Sequence, residues 1–282
     1  MTKQIDTLIE DIYKLFTEDH EPSEVLAEEF GKNVAQLALR RLKESRDREF
    51  TLRMSNLGKG ARQLWYEKQG MIKENLPGHA YVKFMYGDLI EQLVLYLAKE
   101  AGHKVEQEQA EITVDGIVGH MDAIIDDVVV DVKSASKFAF KKFEDGTLAD
   151  NDAFGYMEQL AGYSEGADKR DGAFVAVNKE LGTLALLKVP RKELEAYAIP
   201  ERIEYMKEAV ASDEPPERCY TDVPNGESGN RALDINCSYC PFKFECWKDS
   251  NDGIGLRTFL YSKGPVHFTN VVREPKVLEI TF

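Results

Sequence analysis

Hydrophobic residues recur along the chain with two different periods, and each period predicts a different kind of element. Apolar side chains spaced three or four residues apart predict helices over residues 3–17, 86–102 and 152–165. Apolar runs at residues 173–178 and 183–189 predict a hairpin instead. The pattern therefore predicts a chain that combines helices with strands.

The stretch GHMDAIIDDVVVDVKSAS predicts two short strands joined by a tight loop. Asp126 and Asp127 lie between apolar, β-branched runs, and aspartate tolerates the backbone conformation of tight turns. With these two residues as the loop, Asp122 lies directly across from Asp131, and Lys133 follows on the same face. The opposite face is apolar and consists of Met121, Ala123, Val130 and Val132. We therefore expect one face to join the core and the other to carry the chemistry.

Two carboxylates that oppose each other on a sheet repel, because their Cβ atoms are only about 4.5–5.5 Å apart. A divalent cation would neutralise them, and oxygen ligands of this kind suit Mg²⁺ or Mn²⁺. Short motifs also recur by accident, so an ordinary surface hairpin with scattered charges remains an alternative at this point.

Three motifs of the chain resemble those of a known enzyme family. Asp122, followed by Asp131-Val132-Lys133, resembles the core of the PD-(D/E)XK nuclease superfamily in its RecB-like branch. Upstream, GDLIE at residues 87–91 resembles the first motif of that family. Downstream, QLAGY at residues 159–163 resembles its QxxxY motif, whose two named side chains share one helical face. Together the three motifs make a strong resemblance, which covers roughly residues 55–247. Within the superfamily, the chain resembles phage-type and CRISPR-associated RecB-like exonucleases with iron–sulfur clusters.

The resemblance implies an α/β, restriction-endonuclease-like core with a mixed central sheet flanked by helices. It implies hydrolysis of DNA phosphodiester bonds with Mg²⁺ or Mn²⁺. The implied metal ligands are the carboxylates of Glu91, Asp122 and Asp131 and the backbone carbonyl of Val132. Lys133 would hold the attacking water and stabilise charge, while Gln159 and Tyr163 would orient the DNA backbone or its end. The implied catalytic set is therefore Glu91, Asp122, Asp131, Lys133, Gln159 and Tyr163.

The same resemblance favours an exonuclease that acts on linear or single-stranded DNA in phage-type DNA processing, recombination or repair. Recombination or repair proteins would then be partners. An endonuclease with the same chemistry remains an alternative, as does a non-catalytic DNA-binding accessory protein of recombination. The complete D…DxK pattern argues against the accessory protein.

All four cysteines lie late in the chain, with the spacing C-x17-C-x2-C-x5-C: Cys219, Cys237, Cys240 and Cys246. Clustered thiolates bind Zn²⁺ or an iron–sulfur cluster, and the spacing alone favours neither. The last three cysteines resemble the C-terminal triplet of iron–sulfur RecB-like nucleases, which implies a [4Fe-4S] cluster with zinc as the alternative. Those relatives usually take their fourth ligand from before the first nuclease motif. Here Gly60-Ala61-Arg62 occupies the corresponding place, so Cys219 is the candidate.

The net charge of −14 argues against a protein that coats nucleic acid, which would carry a basic surface. It does not exclude a nuclease. Basic and aromatic residues follow the catalytic strand at residues 137–146, a combination that can hold a nucleic-acid strand. The predicted DNA contacts are Lys137, Lys141 and Lys142 together with Gln159 and Tyr163. The alternative is an ordinary loop whose phenylalanines pack inward.

The length of 282 residues fits one core with extensions. We expect an N-terminal helical extension at 1–53, a nuclease core at 54–211, a cysteine-cluster region at 212–250, and a tail at 251–282 that adds strands and packs on the core. Because no apolar run could span a bilayer and no signal peptide is present, we expect no membrane association and a cytoplasmic location, in the host if the protein is phage-encoded.

Overall fold

The computed structural model describes residues 3–43, 49–71, 76–168 and 170–281. The chain forms two compact units. The first contains Met1–Gly58 and Leu76–Tyr205, and the second contains Lys59–Asn75 and Met206–Phe282. The predicted helical extension thus belongs to the same unit as most of the predicted core, while the cysteine region and the tail belong to the other.

The described chain contains both helices and strands. Numbered in chain order, the helices are α1 (Leu8–Thr17), α2 (Glu24–Lys43), α3 (Ala61–Lys68), α4 (Gly78–Glu100), α5 (Lys137–Glu144), α6 (Tyr156–Gly166), α7 (Arg191–Glu195), α8 (Ile199–Ala211), α9 (Ile235–Ser238), α10 (Lys243–Cys246) and α11 (Ser250–Gly253). The strands are β1 (Val105–Glu106), β2 (Glu111–Val114), β3 (Ile117–His120), β4 (Ala123–Ile125), β5 (Val128–Ala135), β6 (Gly172–Asn178), β7 (Leu184–Val189), β8 (Val223–Pro224), β9 (Arg231–Ala232), β10 (Arg257–Tyr261), β11 (Gly264–Asn270) and β12 (Glu279–Ile280). Short 3-10 helices lie at Ile5–Thr7, Met54–Asn56 and Leu148–Asn151. The predicted helices and the hairpin at 173–189 are therefore confirmed as helices and as an antiparallel strand pair, although their bounds differ.

The first unit is built on a five-stranded sheet with the order β1-β4-β5-β6-β7. β5 and β6 run parallel, with Val129 opposite Gly172, while the other neighbouring pairs are antiparallel. β2 and β3 form a separate antiparallel pair. Because the central sheet contains both strand directions, the expected α/β fold with a mixed sheet is confirmed.

One face of this sheet packs on α1 and α4. Leu8 and Ile12 of α1 are 0% and 1% exposed, and Leu95 of α4 is 1% exposed. These side chains form one cluster with four buried residues of β4 and β5: Ala123, Ile125, Val130 and Val132. Burial of one such large apolar side chain stabilises the fold by about 1.5–3 kcal/mol relative to exposure. The apolar face predicted for the hairpin is therefore core.

The opposite face is covered as well. Phe143 of α5 packs edge-on against Phe174 of β6, with ring centroids 5.6 Å apart. Leu160 of α6 is fully buried and lies so close to Gly172 that a Cβ atom there would come within 2.8 Å of it. The expectation that this whole face would carry the chemistry is thus corrected, because α5 and α6 pack on it through Phe143 and Leu160.

The second unit contains a five-stranded antiparallel sheet with the order β12-β10-β11-β9-β8. Its core includes Phe259 and Phe268, whose rings meet edge-on at 5.5 Å, together with Ala232. The tail therefore adds strands, as expected. In the part of the chain that the structure describes, no helix has the length and apolar character needed to cross a membrane.

Candidate active site

The turn between β4 and β5 sets the geometry of the site. Asp126 and Asp127 have φ angles of 48° and 71°, and positive φ at both central residues is what a type I′ turn requires. The paired residues are Ile125 with Val128, Ile124 with Val129, and Ala123 with Val130. The predicted turn and these three pairs are therefore confirmed. Asp122 lies just before the paired residues of β4, and Asp131 lies one position beyond them in β5.

Asp122 crosses to β5 through its side chain. Its Oδ2 accepts a hydrogen bond from the backbone N–H of Val132 at 2.7 Å. Burial raises the pKa of Asp122 well above its usual value, and the nearby charges of Asp131 and Glu91 raise it further. The hydrogen bond thus holds the carboxyl group in place. The positive charge of Lys133 lowers the pKa of Asp122, but burial and the two neighbouring carboxylates outweigh it.

Asp131 is 2% exposed, and its Oδ2 lies 2.6 Å from Nζ of Lys133. The two groups form an ion pair without the angle of a hydrogen bond, since this Oδ2 has no hydrogen-bond partner among the described residues. Burial tends to lower the pKa of Lys133, but Asp131 and Asp122 outweigh it and the pKa is raised. Lys133 therefore stays protonated, which suits charge stabilisation better than proton abstraction.

Gln159 and Tyr163 continue a polar chain that begins at Asp131. Nζ of Lys133 donates to Oε1 of Gln159 at 3.2 Å, and Nε2 of Gln159 donates to the hydroxyl of Tyr163 at 2.7 Å. Burial, followed by the charge of Asp131, raises the pKa of Tyr163. Tyr163 is only 2% exposed, and its hydroxyl is the partner of the Gln159 amide. Its predicted contact with DNA stays a prediction.

Glu91 comes from a different element, the middle of α4. Its Oε1 accepts a hydrogen bond from Nε2 of Gln109 at 2.7 Å. Burial raises the pKa of Glu91 to about 7, with further contributions from Asp88 and Asp131. The backbone N–H of Gln109 also donates to the carbonyl of Asp122 at 3.0 Å, so Gln109 contacts both Glu91 and Asp122.

Three contacts of this site were not predicted from the sequence. The ring centre of Tyr156 lies 4.5 Å from Nζ of Lys133. Gln109 binds Glu91, and Arg41 forms a bidentate ion pair with Asp88, with Nη2 and Oδ1 2.7 Å apart. The three-residue spacing between Tyr156 and Gln159 could have indicated the first contact. The others join residues that are distant in sequence and have no local pattern.

The residues fit a hard divalent cation in charge and in donor type. Three acidic side chains are near one another, two of them have raised pKa values, and the buried Oδ2 of Asp131 lacks a hydrogen-bond partner. Carboxylate oxygens are the ligands that Mg²⁺ and Mn²⁺ prefer. Within the described ranges, however, no three His, Cys, Asp or Glu side chains are grouped closely enough to hold a metal ion. The metal and its ligands therefore remain a prediction.

The predicted DNA-contact lysines lie on α5, a helix rather than a loop. Lys141 is paired with Glu144 at 3.1 Å and Asp145 at 2.7 Å. Nζ of Lys142 donates to the carbonyl of Asn151 at 2.7 Å and lies 5.8 Å from the ring centre of Phe138.

The phenylalanines of this helix divide between the two interpretations. Phe140 and Phe143 are buried at 5% and 3% exposure, as the packing alternative predicted, whereas Phe138 is 80% exposed. The helix begins after Ser136, whose Oγ accepts a hydrogen bond from Ala139 N. The DNA contacts of Lys137, Lys141 and Lys142 stay a prediction.

The four cysteines converge in the second unit. All four line one cavity together with Arg62 and Arg218, and none forms a disulfide. Burial and the neighbouring thiols raise the pKa of Cys237 to about 12 and that of Cys240 to about 11. Burial also raises the pKa of Cys246, although Arg62 and Arg218 counteract it. No metal-holding group of side chains is present here either, as far as the structure describes the chain.

Comparison with known proteins gives only distant likenesses. No family model matches the chain, and no curated protein matches it. A solved structure described as SSO0001 is 17% identical, with 75% of this chain and 93% of that chain covered and a TM-score of 0.42. A phage related exonuclease from Haemophilus somnus 129PT is 16% identical, with 58% and 94% covered and a TM-score of 0.42.

An alkaline exonuclease, LHK-Exo from Laribacter hongkongensis, is 15% identical, with 63% of this chain and 98% of that chain covered and a TM-score of 0.36. At these identities and TM-scores, none of the three likenesses defines the family of this chain. Its function must be inferred from its own residues.

Proposed function

We propose that this protein is a metal-dependent nuclease of the PD-(D/E)XK type that hydrolyses phosphodiester bonds in DNA. The observation that supports the proposal best is the register of the β4–β5 hairpin. It brings Asp122 beside β5, where its Oδ2 accepts a hydrogen bond from the N–H of Val132 at 2.7 Å, and Nζ of Lys133 lies 2.6 Å from Oδ2 of Asp131, in the order of the family motif. A surface hairpin with scattered charges would not bury Asp131 to 2% exposure.

In this proposal, Asp122, Asp131 and the carbonyl of Val132 hold Mg²⁺ or Mn²⁺, and Glu91 assists directly or through water. The bound ion would polarise the phosphate and activate water. Lys133 contributes a fixed positive charge that stabilises the negative charge developing on the phosphate. Gln159 orients Lys133, because its Oε1 accepts a hydrogen bond from Nζ and its amide is itself held by Tyr163.

We infer exonuclease action on linear or single-stranded DNA, in phage-type DNA processing, recombination or repair, from the sequence resemblance. An endonuclease would use the same residues, and an accessory protein would bind DNA without cutting it. These alternatives differ in the products they give, which makes them separable by experiment.

We also propose that Cys219, Cys237, Cys240 and Cys246 hold a [4Fe-4S] cluster, with Zn²⁺ as the alternative. Four thiol groups that line one cavity supply a complete set of ligands for either group. A metal centre with four thiolates is anionic, and the guanidinium groups of Arg62 and Arg218 lie beside Cys246 to balance that charge. Such a centre would stabilise the second unit.

The nuclease proposal is tested on end-labelled linear and closed circular DNA with Mg²⁺, Mn²⁺ or EDTA. We expect metal-dependent loss of linear DNA, abolished in Asp131→Asn, which keeps the shape of the side chain but removes its charge. Asp213→Asn, an exposed position in the second unit, is the matched control. Cutting of circles would indicate an endonuclease, and full activity in Asp131→Asn would refute the proposed site.

A further inference from the structure

A cavity of about 250 Å³ in the first unit has Lys133 in its wall. Its other polar walls include two more lysines, Lys142 and Lys179, and two serines, Ser134 and Ser136. This gathering of lysines stands out in a chain with 50 acidic and 36 basic side chains. A concave site with convergent cationic side chains is suited to an anion such as a phosphate group.

Lys179 is the lysine most available to a ligand. It follows β6, and its backbone N–H donates to the carbonyl of Ala135 at 3.0 Å, which ties it to the end of β5. The residue is exposed, and its ammonium group has no hydrogen-bond or ion-pair partner within the described ranges. Lys142 gives one N–H to Asn151 and has two further donors.

The acidic residue in the cavity wall, Asp152, does not cancel this charge by pairing with a lysine. Its Oδ2 accepts a hydrogen bond from the N–H of Met157 at 2.7 Å, and its Oδ1 accepts one from the N–H of Phe154 at 3.3 Å. The carboxylate of Asp152 thus accepts backbone N–H groups at the start of α6 and does not pair with Lys142 or Lys179.

Aromatic rings form another wall of the same cavity. Phe154 and Tyr156 stack with ring centres 5.5 Å apart and an angle of 28° between their planes. Phe154 is 52% exposed, so one part of its ring faces solvent. Lysines beside an exposed ring form the combination that holds single-stranded nucleic acid, with phosphates bound by charge and bases by stacking.

We propose that this cavity is a subsite for one nucleotide of a single-stranded nucleic acid. Lys142 and Lys179 contact its phosphate, and Phe154 stacks on its base. The inference rests on the proposed nuclease function, because the subsite would hold the strand beside Lys133 during cutting. A base within a duplex already stacks on its neighbours, so the subsite requires an unpaired nucleotide.

Binding is measured by fluorescence anisotropy with a labelled single-stranded oligonucleotide in EDTA, at several salt concentrations. Each phosphate contact on a single strand contributes about −0.7 to the slope of log K against log salt concentration. We expect Lys179→Ala to make that slope less steep by about 0.7. Phe154→Leu should weaken binding about 5- to 150-fold with an unchanged slope, because stacking releases no counterions.

Lys192→Ala removes an exposed lysine from α7, outside the cavity, and is the matched control. Wild-type affinity and slope in this control support the subsite. Losses equal to those of Lys179→Ala would overturn it, since they would reflect general charge attraction. Circular dichroism verifies the folding of each variant, and both tested side chains are exposed.

The experiments distinguish a failure of the subsite proposal from a failure of the nuclease proposal. Unchanged binding in Lys179→Ala and Phe154→Leu, together with metal-dependent cutting by the wild type, would refute the subsite alone. Binding that depends on both residues, without cutting under any metal, would refute the nuclease proposal alone. A wild type that does not bind the oligonucleotide would overturn the subsite, as would equal weakening of duplex and single-strand binding by Phe154→Leu.

Discussion

The turn residue Asp126 allows a quantitative test of how the hairpin is held. Its φ of 48° is in the left-handed region, which costs a residue such as alanine about 1–2 kcal/mol. Its Oδ1 accepts a hydrogen bond from Lys104 N at 3.0 Å, and its Oδ2 lies 2.6 Å from Nδ1 of His103. The His103 side chain is completely buried, and Asp126 is the hydrogen-bond partner of its Nδ1.

Asp126→Ala should lower the free energy of unfolding by about 2.5–5 kcal/mol. The backbone contributes about 1–2 kcal/mol, and the hydrogen bonds of a charged group contribute about 1.5–3 kcal/mol. Asp126→Gly should lower the free energy of unfolding by about 1 kcal/mol less than Asp126→Ala does, because glycine adopts positive φ without strain. Asp126→Asn should lose least, since asparagine tolerates this conformation and keeps one acceptor oxygen.

The assay is urea denaturation followed by far-UV circular dichroism, with cleavage measured under conditions where each variant is folded. Asp168→Ala, at another aspartate with positive φ (60°), is the control for the backbone contribution alone and should cost about 1–2 kcal/mol. Because a one-residue slip in register moves every side chain to the other face, Asp126→Ala should also lower cleavage. Equal stability of the alanine, glycine and wild-type proteins would refute the reasoning.

Three further predictions follow from other contacts. Tyr163→Phe leaves the partly buried amide of Gln159 without its acceptor and should lower the free energy of unfolding by about 1–3 kcal/mol and slow cleavage; unchanged denaturation and kinetics would contradict it. Alanine at each of the four cysteines should lower iron or zinc content, together with the melting temperature, before it affects catalysis. Elemental analysis and thermal melting test this, and equal values in all four variants would argue against a structural metal. Lys3 and Thr7 hold the pKa of Asp11 below its usual value. A lowered folded-state pKa stabilises above the unfolded pKa of 3.8, so Asp11→Asn should be destabilising at neutral pH. The difference should shrink as the pH falls below 3.8 and vanish only when the pH has passed through the lower folded-state pKa. A difference that persists in acid would contradict this.

Several features of the site could be predicted from the sequence because they depend on local periodicity. Two aspartates between β-branched runs define a two-residue turn, and the pairing of Ala123 with Val130 then follows without further information. The four-residue spacing of Gln159 and Tyr163 likewise placed both side chains on one helical face, where they are hydrogen-bonded.

Only the tertiary structure decided how these elements meet. Tyr163 of α6 is buried close to Gly119 of β3, and α5 and α6 pack on the sheet face that local alternation had left for chemistry. The contact of Lys133 with Gln159 and of Gln109 with Glu91 joins separate elements, so no spacing in the sequence could specify either. Periodicity determines which side of an element is apolar, whereas packing determines which polar groups lose water and acquire partners.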